Sequence, residues 1–433
     1  MANSILILGA GAAGLMAAYE LSGAGLPVTI VEATERPGGR ILTLQDNGFS
    51  FPVEAGAEFV HGSLPVTLGL LKAAGLSYSP VNGKMTRVQK GVWIREDLFS
   101  DDTWEELMQR MGELSVDMPI GEFLDTYFAD ERYALLRGSV RGFAEGYDLA
   151  DLSKASTQAL YHEWQEEGQT EFRVDGGYKG LIRYLEEQCL IRGCVIRYNC
   201  PVESVRWRSG HVELGCANGE ILPGSRLITT ASLGILQLTP GAAGALQFVP
   251  DIPAYREAAR VMGYGSVIKV LMEFRSRFWE KKEQGTGFIL SDEAVPTWWT
   301  QYPGESNLLT AWIAATAMRN FRALDEMGRL KACMDSLAAV FGVDVTFLEG
   351  ELVTYHIHDW LSEPYVRGGY SYETVGSDAA RARMHEPVKD TLFFAGEALY
   401  EGTALATVEA ALNSGKDVAD KIKASASQRT LLS

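Results

Sequence analysis

The opening of the chain constrains the fold more than any other stretch. Ser4-Ile5-Leu6-Ile7-Leu8 runs into Gly9-Ala10-Gly11-Ala12-Ala13-Gly14 and then into an Ala- and Leu-rich segment. A second apolar run, Val28-Thr29-Ile30-Val31, ends on Glu32. The order predicts a strand, a tight turn, a helix and a second strand closing on an acid. Gly9 permits the sharp turn, Gly11 lets backbone N–H groups approach a pyrophosphate, and Gly14 lets the helix lie close on the strand. The helix start, with Ala13 in its first turn, aims its positive end and free N–H groups at phosphates. Glu32 can accept hydrogen bonds from the ribose of an adenosine. Glycine-rich turns also arise for steric reasons alone; strand, helix and acid in register point to a dinucleotide.

Glu32-Ala33-Thr34-Glu35-Arg36-Pro37-Gly38-Gly39-Arg40 resembles the Glu…Gly-Gly-Arg extension of the flavin-dependent amine oxidase family. That family includes monoamine oxidases, polyamine oxidases and histone lysine demethylases. The resemblance implies FAD, with Glu32 on its ribose and Gly39 and Arg40 beside its phosphates and ring. Further blocks extend the likeness over nearly the whole chain. Gly56-Ala57-Glu58-Phe59 matches the segment that passes the flavin, and Val202 the residue whose backbone meets the adenine. Leu227 to Leu236 matches a strand and turn, except that Ala231-Ser232 replaces the usual Val-Pro. Gly396-Glu397, with Thr407 and Val408 at the start of a helix, matches the C-terminal signature, where a helix N-terminus stabilises negative charge on the reduced ring.

Three residues carry the implied chemistry. Lys269 is the one cation in the apolar strand Ser266-Val267-Ile268-Lys269-Val270-Leu271-Met272, where an unpaired lysine is expensive. The matching family lysine holds a water against flavin N5. Tyr370, in the Trp360…Gly368-Gly369-Tyr370-Ser371 element, matches the tyrosine that faces substrate, and Trp360 the tryptophan that opens the element. His61 resembles the histidine of animal polyamine oxidases; capping a loop explains it equally well. Gly369 stands where monoamine oxidases have a flavin-linked cysteine, which implies noncovalent FAD. Thr407 replaces their second cage tyrosine and leaves room for a longer amine. Trp298, with Trp299 and with Trp312 of a second expected strand, is a candidate wall of a substrate pocket, alongside Tyr370, His61 and Thr407, and core packing explains these tryptophans as well.

Composition narrows the setting. A net charge of −17 argues against nucleic acid and suits cationic substrates. Residues 5–26 are apolar but broken by glycines, Tyr19 and Glu20, so neither a signal peptide nor a membrane span is predicted. The stretch after Lys423 reads as a short polar tail. Five cysteines, Cys189, Cys194, Cys200, Cys216 and Cys333, suggest reduced thiols in a cytoplasm. Neither their spacing nor His356-Ile357-His358-Asp359 makes a convincing metal site, and no metal is expected.

The expected fold is α/β, a Rossmann-like FAD-binding domain with an inserted α+β substrate domain. FAD-binding segments are expected at residues 1–63, 186–240 and 387–433, with a mostly helical insert at 64–185 and a sheet-bearing one at 241–386. Glu145, Tyr161, Glu163 and Trp164 in the first insert are weaker pocket candidates. The resemblance implies oxidation of a primary or secondary amine, polyamine-like favoured, to an imine by hydride transfer to flavin N5. Dioxygen then reoxidises the flavin and gives hydrogen peroxide. An L-amino-acid oxidase or an FAD-dependent desaturase shares the fold, and a non-catalytic flavin-containing interaction module is the reading from another class.

Overall fold

The computed structural model describes residues 4–45, 47–94, 102–165 and 170–431, with side chains as far as Ser425. Residues 1–3, at the start of the expected FAD-binding segment 1–63, lie outside the described residues. Beyond Lys423, where a polar tail was expected, the last helix, Val408–Leu431, continues.

A five-stranded parallel sheet organises the cofactor layer. Its order is Val195–Arg197, Val28–Val31, Ile5–Leu8, Arg226–Thr229 and Leu392–Phe394, so its strands come from three separated stretches of chain. The strands are apolar on both faces because both are covered. Ile5, Ile7, Val28, Ile30, Ile228 and Phe393 share a core with Leu15, Leu185 and Leu412 of the helices on one side. Leu6, Leu8, Val31, Leu227 and Leu392 share another with Val205, Leu214 and Phe248 of a four-stranded sheet. Leu181, Ile182 and Leu185 belong to the helix-side core, so the helix Lys179–Ile191 stands with the cofactor layer although its first residues fall in the stretch read as insert.

The substrate layer is a seven-stranded sheet in the order Leu352–Asp359, Val267–Phe274, Leu308–Ala314, Thr297–Thr300, Thr286–Ser291, Lys84–Gln89 and Val92–Ile94. The last two strands lie in the stretch read as mostly helical. Ile268, Val270, Met272 and Phe274 pack on the helix Glu326–Phe341, which leaves Lys269 on the opposite face. Four helices, Asp102–Gly112, Ile120–Tyr127, Ala134–Gly146 and Thr157–Gln165, close around their own aromatic core. Among the described residues no helix is long and apolar enough to cross a membrane. The fold is thus α/β, a Rossmann-like cofactor domain with a substrate domain of helices and sheet.

Candidate active site

One cavity of about 1940 Å³ runs between the two layers. At one end lie Gly9, Gly11, Ala13, Glu32 and Val202; Arg40, Gly396, Thr407 and Val408 follow, and Lys269, Trp299, Trp312 and Tyr370 are found with His61 on the substrate side.

The glycine turn is built for contact with backbone. Gly9 has φ +104°, and a Cβ on Gly14 would stand 2.1 Å from the Gly9 carbonyl oxygen, so the helix sits too close for any side chain there. Gly14 is therefore a packing residue outside the cavity lining. Gly11 differs. It lines the cavity, a Cβ there would meet nothing within 4 Å, and no side chain caps the helix that begins beside it. The first N–H groups of that helix are left for an anion. Glu32, buried beside them, accepts from the Ala10 N–H at 2.8 Å and from the Thr34 N–H and hydroxyl at 2.9 and 2.8 Å, which fixes its carboxylate at the cavity wall.

Arg40 crosses from this layer to the C-terminal signature. Its guanidinium donates to Glu397 at 2.6 Å and to the Gly369 carbonyl at 2.8 Å, while Glu397 also accepts from Ser371. Thr407 caps the last helix, accepting from the Ala410 N–H at 3.1 Å, and so holds that helix's N-terminus against the cavity.

Lys269 is 1% exposed and has the partner that its burial demands. Its ammonium donates to Glu58 at 2.8 Å and to the Gly56 carbonyl at 3.1 Å, with the Trp299 ring centroid 5.2 Å away. Glu58 also accepts from Arg173 at 2.8 Å, Trp299 Nε1 at 3.1 Å and Gln301 at 3.0 Å. Burial would raise the Glu58 pKa, but Lys269 and Arg173 outweigh it and hold the carboxyl down at about 2. Glu58, expected as a cofactor contact, is thus also the anchor of the lysine. Ala57 and Phe59 line the cavity beside it, and Arg173 lies 4.8 Å from the Phe59 ring centroid.

Trp360 lines the cavity and donates to the Ala55 carbonyl at 3.0 Å. Tyr370 donates to the Tyr147 carbonyl and lies face to face with Trp312, centroids 6.2 Å apart; burial pushes its phenol pKa well up. His61 Nδ1 lies 2.9 Å from Glu171 and 3.3 Å from the Tyr147 hydroxyl. Asp148, Glu163 and Glu373 extend the wall, with Glu163 hydrogen-bonded to Asp148; burial, with Glu373 adding, pushes Glu163 up to about 7.

Trp298 requires correction as a pocket residue. Strand alternation turns it into the core with Ile289 and Leu309, fully buried and away from the cavity, and puts its neighbour Trp299 on the cavity side. Tyr147, Glu171 and Arg173 were not singled out from sequence, whereas Trp299 and Trp312 belong to the two strands whose tryptophans were expected as pocket walls, and both line the cavity. Arg173 had a signal, as the one cation in Glu171–Val174; the others had none beyond strand phase or residue type. His356 and His358 share a strand face, rings 5.7 Å apart, and burial lowers the His358 pKa to about 4.

The comparisons with known proteins bear on this cavity. The family model for flavin containing amine oxidoreductases matches residues 12–423. The chain belongs to that family. The family is one of flavin containing amine oxidoreductases. It is 28% identical over 458 residues to the lysine-specific histone demethylase 1B of Mus musculus, covering 98% of this chain and 53% of the relative. It is 28% identical over 460 residues to the lysine-specific histone demethylase 2 of Homo sapiens, with the same coverage. The chain spans about half the length of these curated relatives. In fold, the chain matches a putrescine oxidase structure with TM-score 0.81 at 21% identity, covering 98% of this chain and 99% of that one. The cyclohexylamine oxidase of Brevibacterium oxydans matches at TM-score 0.79 and 20% identity, with the same coverage.

Proposed function

We propose that the protein oxidises a primary or secondary amine to the imine, with polyamine-like amines preferred, and that FAD is held without a covalent bond. The observation that carries the reading is the buried Lys269–Glu58 pair, set in the wall of the same cavity as Tyr370, Trp312 and the bare Gly11 backbone. The cavity fits FAD, because Gly11 leaves an uncapped helix end open to it and Glu32 is fixed at the same end. Gly9, Gly11, Ala13, Glu32, Gly39, Arg40, Gly56, Ala57, Glu58, Phe59, Val202, Trp360, Gly396, Glu397, Thr407 and Val408 would hold it, with Gly14 keeping the helix in place. When bound, FAD supplies the two-electron acceptor for the amine Cα–H and passes the electrons to dioxygen, giving hydrogen peroxide.

The chain's own groups do the rest. Tyr370 and Trp312 form a flat aromatic wall that orients the amine. Lys269, fixed by Glu58 and the Gly56 carbonyl, retains a donor for an ordered water in the cavity. His61, oriented by Glu171, takes the proton from the incoming ammonium so that the neutral amine reacts. Asp148 and Glu163 favour a second positive charge further along the substrate, which supports a diamine or polyamine over a simple monoamine. Thr407 leaves width for a long chain. Arg40 and Arg173 are each paired with a glutamate, which disfavours a carboxylate clamp of the kind an amino-acid oxidase needs.

The test is anaerobic mixing of the yellow protein with putrescine, spermidine, spermine, aromatic monoamines, a methylated lysine peptide and L-amino acids. Bleaching fastest with the di- and polyamines, and peroxide on readmitting air, is the expected result. Fastest bleaching by the methylated peptide would transfer the reading to the demethylase side of the family. A flavin that no amine bleaches would remove amine oxidation altogether.

A further inference from the structure

Two cysteines meet behind the wall that faces the Glu32 end of the cavity. Cys200 precedes the strand Val202–Arg208, and Cys216 ends the antiparallel strand His211–Cys216 beside it. Their sulfurs are 2.8 Å apart, and both residues are buried. A disulfide bond is ~2.05 Å long, so the gap left to close is less than ~1 Å. The backbones on either side are already fixed. The Cys200 N–H donates to the Glu32 carbonyl at 2.9 Å, the Cys216 N–H to the Glu220 carbonyl at 2.9 Å, and the Ala217 N–H to the Pro201 carbonyl at 2.8 Å. Small side-chain rotations therefore suffice to join the sulfurs without moving a strand. Pro201, Val202 and Ala217, the residues next to the pair, all line the cavity.

We propose that Cys200 and Cys216 are a disulfide-forming pair whose closure clamps the wall of the FAD cavity beside Glu32 and slows loss of the cofactor. The oxidant is a peroxide, hydrogen peroxide itself in the test below. One thiol is oxidised to the sulfenic acid with release of one water. The second thiol displaces hydroxide from that sulfur, the S–S bond forms, and a second water leaves. The two electrons and two hydrogens lost by the thiols are thus accounted for in two waters. Burial, reinforced by Cys200, pushes the Cys216 thiol up to about 12, so closure is slow and responds to sustained oxidation rather than to a brief pulse.

A second pair, Cys189 and Cys194, lies in the same layer. Their sulfurs face the Leu15 and Ala18 carbonyls at 3.6 and 4.0 Å. The experiment separates the two pairs. The FAD-loaded protein, without amine, is incubated with hydrogen peroxide, alkylated in denaturant and cut with trypsin without reduction. Arginines place each of the four cysteines in its own peptide. Residues 198–206 joined to residues 209–226, lighter by two hydrogen atoms and separated by reductant, is the expected product. Flavin fluorescence after dilution should then show release slowed about two-fold or more in the oxidised protein, reversed by reductant. Cys200→Ser should lose both effects. All thiols alkylated after peroxide, or a link confined to Cys189 and Cys194, would overturn the proposal in the wild-type protein alone, whatever the variant does. A Cys200–Cys216 link with unchanged FAD release would remove the clamp.

Discussion

Lys269 and Glu58, 211 residues apart in sequence, meet at 2.8 Å in the wall of the cavity, both almost wholly buried. The two are not equivalent partners. Glu58 has four donors, Lys269, Arg173, Trp299 and Gln301, whereas Lys269 has Glu58 and one carbonyl. Glu58→Gln should therefore cost about 3–5 kcal/mol of stability, because it leaves the buried Lys269 without its counter-charge and takes the carboxylate from Arg173, which keeps only the Thr300 and Tyr302 carbonyls. Lys269→Met leaves Glu58 with three donors and should cost less, about 1–3 kcal/mol. Thermal unfolding of the two variants checks the order.

Lys269→Met should also keep its yellow colour. Most of the cavity wall that holds FAD does not depend on Lys269, so the cofactor stays, while turnover falls by about 10²-fold or more as the cavity loses its fixed donor. Stopped-flow absorbance, with reduction by amine and reoxidation by air followed separately, shows which half-reaction slows. Unchanged kinetics in both would take Lys269 out of the mechanism.

Two glutamates four positions apart pull stability in opposite directions with pH. Glu58 has its carboxyl held down from 4.5 to about 2, so its contribution is complete above pH 4.5 and is lost as pH falls toward 2. A carboxyl displaced that far contributes about 3 kcal/mol. Burial pushes Glu54 up to about 7, so the stability it lends is complete below 4.5 and is lost as pH rises through 7. Urea midpoints for the wild type should form a dome that falls at the acid end. In Glu54→Gln the decline toward pH 7 should vanish while the acid limb remains.

Glu163 gives the substrate site its own pH signature. With its carboxyl pushed up to about 7, it ionises as pH rises through neutrality and adds a negative charge to the wall. KM for a diamine should fall across that interval, while KM for an uncharged-tail monoamine should move less. Glu163→Gln should remove the diamine limb. Equal profiles for both substrates in the wild type would argue that this wall does not read the second charge.

Much of this was legible in the sequence because it is local. The Gly9–Glu32 unit declares its turn, helix and acid within one strand–helix–strand stretch, and a single lysine in an apolar strand announces that it needs a partner. The identity of that partner was not legible, since Glu58 is brought to Lys269 by packing of the two layers. Trp298 and Trp299 show the same limit at its smallest. Alternation says that they point opposite ways, but which one reaches the cavity depends on the register Lys269↔Trp312↔Thr297, set by strands distant in sequence. Lys84–Gln89 became a strand for a similar reason: the sheet edge at Thr286–Ser291, distant in sequence, offers it a backbone partner, and Val92–Ile94 pairs on Lys84–Gln89 in turn.

The glycine turn offers the sharpest separation of folding from cofactor binding. Gly14→Ala places a methyl 2.1 Å from the Gly9 carbonyl oxygen, and neither backbone can yield without parting helix from strand. That overpacking should cost about 3 kcal/mol and release FAD together with structure. Gly11→Ala is different in kind. Gly11 sits at φ −74° and ψ −178°, extended backbone that alanine adopts freely, and its new methyl would meet no protein atom. The apo-protein should therefore unfold within about 1 kcal/mol of wild type. The methyl nevertheless projects into the cavity at the helix N-terminus, where the pyrophosphate must approach the backbone closely. Holding it off by a methyl should weaken FAD binding roughly ten-fold or more, about 1.4 kcal/mol. Apo-protein melting and FAD titration of the same preparation read the two effects independently. An alanine at 11 that melts early would make Gly11 a folding residue like Gly14, and one that binds FAD at full strength would move the pyrophosphate away from this turn.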